Sequence, residues 1–136
     1  MNPTVLRQGL NELSLSLRHL HGTLLRIEQR RHEEAHGTVT PAELLRLALS
    51  EPRFAWLREL SGLIVEIDER TSDDRAVGHA EAVSFRSRAE KRIGPGPGKL
   101  SEQLLSAVQE SPDVAIGLGR LRLALAALPV AGQVLA

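Results

Sequence analysis

From Leu6 to Ile27 the chain places an aliphatic residue every three or four positions: Leu6, Leu10, Leu13, Leu17, Leu20, Leu24 and Ile27. Alternating steps of four and three hold all seven on one stripe of an α-helix, the heptad pattern of helices packed side by side. The pattern predicts a long N-terminal helix that starts near Pro3 or Thr4, runs to about Ala35 and is terminated by Gly37. A second stripe, Val114, Leu118, Leu121, Leu125 and Leu128, repeats the spacing near the other end. Bundles within a chain and coils between chains share this pattern, so the two seams can pack on each other or on a second copy.

Between the seams the polar and special residues mark the breaks. Thr40 is placed to cap a second helix, with Pro41 in its first turn and Glu43 completing a capping box; this helix is expected to end near Leu49. Ser50 is expected to cap a third helix with Pro52 in its first turn. There Trp56, Leu60, Leu63 and Ile67 form one stripe, and Phe54, Leu57 and Ile64 a second beside it. A helix apolar over so wide an arc is expected at the centre of the fold. "TSDD" predicts a turn. The segment from Asp74 to Arg92, with only Val77, Ala80, Val83 and Phe85 as scattered apolar positions, predicts a peripheral helix. "GPGPG", Gly94 to Gly98, is a loop. Ser101 is expected to cap a helix through Val108, and "SPD" at Ser111 to Asp113 restarts the chain into the last one. Gly117 and Gly119 are expected to let that helix approach a neighbour closely. Residues 1–136 thus form a single all-α domain, a bundle of four to five helices with a long N-terminal helix.

Composition agrees. Leu and Ala dominate the apolar residues, with two Phe, one Trp and no Tyr, and these side chains favour helices over strands. Seventeen basic and seventeen acidic residues cancel, so no global field draws the chain to nucleic acid or to an anionic membrane, and neither is expected as a partner. Fifteen of the basic residues are Arg, a bias that suggests a GC-rich genome. With no cysteine there is no disulfide, thiolate nucleophile or Cys-ligated zinc, which fits a cytoplasmic location. The N-terminus lacks the basic-then-apolar order of a signal peptide. The apolar stretch "LALAALPVAGQVLA", residues 123–136, is broken by Pro129 and falls short of the roughly 20 residues that span a bilayer. A docked C-terminal tail is the expectation.

Four stretches carry a chemical spelling. "HEEAH", His32 to His36, matches HExxH, in which two His one turn apart bind zinc and the Glu polarises a bound water. On the heptad register, however, His32 falls at b and His36 at f, away from the apolar seam and among Arg and Glu. No third His follows closely, and a downstream Glu such as Glu59, Glu66 or Glu69 would have to substitute without a recognisable second motif. Chance gives this spelling in roughly 2% of such chains, so alone it identifies nothing. Glu33 and His36 also spell half of a di-iron carboxylate site, but none of His19, His21 and His79 has the Glu three residues earlier that the second half needs. "GPGPGKLS" mimics a phosphate loop, yet Pro95 and Pro97 remove backbone N–H donors and Leu100 stands where magnesium needs a hydroxyl. "RSRAEKR", Arg86 to Arg92, is the densest basic patch, diluted by Glu90 and without aromatics for base stacking. No metal, cofactor or catalytic residue is assigned.

The stretch "PAELLRLALSEPRFAWLRELSGLIVEIDE", residues 41–69, resembles a phrase in a group of small bacterial proteins with no established activity, the Asp/Glu-Pro-x-Phe-Ala-Trp-Leu core matching Glu51 to Leu57. Residues 104–125 resemble the group more weakly. The resemblance implies a bacterial source and supplies no catalytic residue. It singles out Phe54, Trp56 and Leu57, with Leu60 one turn on, as core anchors or interaction residues. The expected function is a non-enzymatic helical interaction module, self-associating through its apolar seams, with a dimer favoured or another helical protein as partner. The alternative is a zinc-dependent hydrolase using His32 to His36.

Overall fold

In the computed structural model, which describes residues 2–96 and 98–132, six helices follow one another. They are α1 (Pro3–His36), α2 (Pro41–Ser50), α3 (Ala55–Ser72, entered through a 3-10 turn Pro52–Phe54), α4 (His79–Ile93), α5 (Lys99–Glu110) and α6 (Pro112–Ala126). The described residues are all-α, without a strand, and the count of six corrects the expected four to five. No helix among them is long and apolar enough to cross a membrane.

At 1.5 Å per residue the 34 residues of α1 reach roughly 50 Å, and the rest of the bundle is assembled along them. Asn2 caps its first turn, its side-chain oxygen accepting from Val5 N, and Gly37 ends it at φ 89°, a conformation glycine adopts without a Cβ clash. Every residue of the N-terminal seam is buried, and so is every residue of the C-terminal seam. They cover each other. Helix α6 runs antiparallel to α1, with Leu128 beside Gly9 and Gly117 beside Leu20. Gly9 is where the backbones demand glycine most, since a Cβ there would lie 2.7 Å from the Leu128 side chain. Gly117 does sit at the α1 contact, but Gly119 is exposed with nothing within 4 Å, so it serves no close approach.

Helix α3 packs along α1 on the other side of the seam, burying Trp56, Leu57, Leu60, Leu63, Ile64 and Ile67. Its start differs from the expected one. Ser50 is the last residue of α2, its hydroxyl donating to Arg46 O, and Glu51 precedes the 3-10 turn in the extended conformation that a following proline favours. Arg58 then donates to the carbonyls of Ala48 and Glu51, closing the corner between α2 and α3. Helix α4 starts at His79 rather than Asp74, because the Asp73 carboxylate accepts from Arg75 N and holds a turn there. Helix α5 starts at Lys99, ahead of Ser101, whose hydroxyl donates to Gly94 O instead of capping. Of the expected tail, residues 123–126 finish α6, Leu128 and Pro129 are buried, and 133–136 lie outside the described residues.

Candidate functional site

The HExxH stretch forms the last turns of α1. The rings of His32 and His36 lie 4.6 Å apart, and His32 is 6.1 Å from Phe54. The Glu33 carboxylate, which would have to serve as general base, accepts from Val39 N at 2.9 Å and so pins the chain as it leaves the helix. Among the described residues, no group of three or more His, Asp or Glu side chains converges to hold a metal ion. The stretch acts here as a helix end.

Two of the four cations of the basic patch on α4, Arg86 and Arg88, are engaged within the chain, and Lys91 and Arg92 have no ion pair among the described residues. Arg86 pairs with Glu90 and donates to Leu128 O beyond α6, while Arg88 pairs with Glu66 on α3. At the opposite end of the helix, Arg70 of α3 makes a two-pronged pair with Glu81. That guanidinium, helped by the Gly78 N–H, holds the Glu81 carboxyl down to about 2. These arginines are clamps between helices.

Phe54, Trp56, Leu57 and Leu60 all point into the bundle and are buried. Trp56 differs from the other three in also lining a groove. This groove, about 690 Å³, lies where α1, the start of α3 and the start of α5 meet. Its floor is Glu28, a carboxylate only 3% exposed, which accepts from Arg31 at 2.9 Å and from Arg53 Nε at 3.2 Å. Arg31 reaches on to Gln103 and to Glu110 of α5. A buried carboxylate needs such partners, since an unpaired one would strongly disfavour burial.

Sequence reasoning missed Glu28, although a signal was present. Arg7, Ser14, His21 and Glu28 recur at steps of seven, on the edge of the seam that faces α3. Arg7 donates to the carbonyls of Thr71 and Arg75, Ser14 donates to Asp68 at 2.6 Å, and Glu28 takes Arg53. Burial holds His21 below its ordinary pKa.

A second groove, about 410 Å³, opens between α5, α6 and the loop joining α4 to α5. Ile93, Leu104, Val108 and Leu118 form its apolar floor, with Leu105 on the lip at 68% exposed. Glu102 and Arg122 also line it, and neither has an ion-pair partner among the described residues. On the outer side of α6, one position along from groove residues Ala115 and Arg122, stand Ile116 and Leu123, both exposed, Leu123 by 75%.

Three comparisons with known proteins bear on these sites: no family model, no curated protein and no solved structure matches the chain.

Proposed function

We propose that this chain is a non-enzymatic, cytoplasmic interaction module that pairs with a second copy of itself, using the α5–α6 face rather than its heptad seams. The seams are covered inside the chain, so association between copies needs other surface. The observation that carries the reading is the apolar groove between α5 and α6 with Leu105 exposed on its lip, and Ile116 and Leu123 exposed on the adjoining side of α6. Apolar surface gathered in this way is a mark of an interaction site. The charges fit a copy of the same face. In a two-fold arrangement one surface meets itself, so the Arg122 of each copy can face the Glu102 of the other. An interface of ordinary size takes about 800 Å² from each partner, about a tenth of the chain's 7927 Å². The outer face of a two-helix hairpin is of that scale.

Sedimentation across a range of concentrations tests this. A dimer is expected, weakened about tenfold or more by Leu105→Glu or Leu123→Glu, since each buries a charge in an apolar contact. Arg122→Glu alone is expected to weaken it, and Glu102→Arg in the same chain to restore it. A chain that stays monomeric throughout, or a charge exchange that restores nothing, overturns the proposal.

A further inference from the structure

The groove lined by Trp56 contains more hydrogen-bond donors than the described residues use. Trp56 is only 5% exposed, and its indole N–H has no acceptor among the described residues. Among the described residues the buried side-chain polar atoms without a partner are His79 Nδ1 and Arg92 Nε; Trp56 Nε1 is solvent-accessible, and Trp56 lines the groove. Arg53 uses Nε alone on Glu28, which leaves both terminal guanidinium nitrogens uncommitted. Lys99, on the same groove, has no ion pair among the described residues. It opens α5, a twelve-residue helix whose first turn has no side-chain cap. Arg53 of the 3-10 turn, Trp56 of α3 and Lys99 at the uncapped start of α5 thus line one space.

We propose that this groove binds a small phosphomonoester. Charged donors and helix-start amides together suit a phosphate, which presents three terminal oxygens, better than a carboxylate with two. At about 690 Å³ the space holds far more than a bare ion, and its lining is mixed, with Pro52, Ala55 and Trp56 apolar and Glu59 and Gln103 polar. The Glu59 carboxylate and the Gln103 amide suit a hydroxyl-bearing remainder of the ligand. Both Glu28 oxygens are taken, one by Arg31 and one by Arg53 Nε, so among the described residues the cation left without a carboxylate partner for the anion is Lys99. The site is separate from the α5–α6 face, so either proposal can fail without the other.

Trp56 is the one tryptophan in a chain without tyrosine, so its fluorescence reports on the groove directly. Glycerol 3-phosphate is titrated against the intact protein, with inorganic phosphate and glycerol as comparisons. A saturable change in emission is expected with glycerol 3-phosphate, a weaker response with inorganic phosphate, and none with glycerol. Lys99→Gln, at an exposed position, is expected to weaken binding about tenfold, as loss of one charge-assisted bond should. Arg53→Gln is expected to do the same. Trp56→Phe, followed by calorimetry, is expected to weaken binding while keeping the ring. No saturable change, or affinity unaltered in Lys99→Gln, overturns the site. Equal affinity for inorganic phosphate overturns the monoester.

Discussion

Helix α1 meets α6 and α3 along neighbouring stripes, and the two contacts are built from different chemistry. Towards α6 the surface is leucine against leucine, brought close by Gly9 and Gly117. Towards α3 the same seam is bordered by Arg7, Ser14, His21 and Glu28, three of them hydrogen-bonded to α3 or its flanking residues. Apolar contact is strong and non-directional, so a regular leucine stripe tolerates a slide of one heptad. The polar pairs do not. A slip of seven residues would leave Glu28 buried without Arg53 and Asp68 without Ser14. We read the apolar packing on both sides as supplying most of the stability, and the polar pairs on the α3 side as fixing the register in which it is obtained.

The largest effect should come from the leucine side. Leu17→Ala is expected to lower stability by about 2–5 kcal/mol, the range for a fully buried leucine, as read from urea denaturation. A loss below about 1 kcal/mol would mean that the seam collapses around the gap and that the contrast is wrong. Glu28→Gln should come next, at about 2 kcal/mol, because it removes the acceptor of two charged bonds. Arg53→Gln added to it should cost little more, and full additivity would show that the pair is not coupled. Smaller still, Gly119→Ala is expected to stabilise by up to about 1 kcal/mol at its open helical position. Gly9→Ala should show no such gain, since Leu128 must move to admit the methyl.

The smallest effect is a pH slope. Burial disfavours the imidazolium of His21, so its folded pKa lies below the ordinary 6.5. Between the two values the unfolded chain binds more protons, and stability rises with pH. The contribution is complete above about pH 6.5 and is lost as pH falls towards the folded value. Denaturation midpoints for the parent and for His21→Gln should therefore converge at acidic pH. A parallel slope in both would assign it elsewhere.

The apolar stripes of both sides were legible in the sequence, all seven positions around α3 included, but the polar pairs on the α3 side were not. A seam repeats, and its period depends only on the helix that carries it; Thr40 and Gly37 likewise act on backbone a few residues away. Glu28 was present at the same period, but its meaning depends on Arg53, twenty-five residues on in a different element. One sequence does not tell which edge of a seam faces which neighbour. The ends of α3, α4 and α5 were misplaced for a related reason. Ser50, Asp73 and Ser101 each have a hydroxyl or carboxylate able to cap a helix, and each satisfies a nearer or different backbone group. Both grooves are assembled from several elements, so Leu105, Lys99 and Arg122 carry no local signature of their place.

The pairing of the first helix with the last has a consequence for how the chain is made. About 75 residues separate the end of α1 from the start of α6. At ~5–20 residues per second, several seconds of translation pass before the covering helix exists. Throughout that interval a nascent chain carries a bare leucine stripe, a substrate for chaperones and for other nascent chains on the same message. A ribosome stalled after Glu110 would release a product with its oiliest surface still open, which the cell must then refold or degrade.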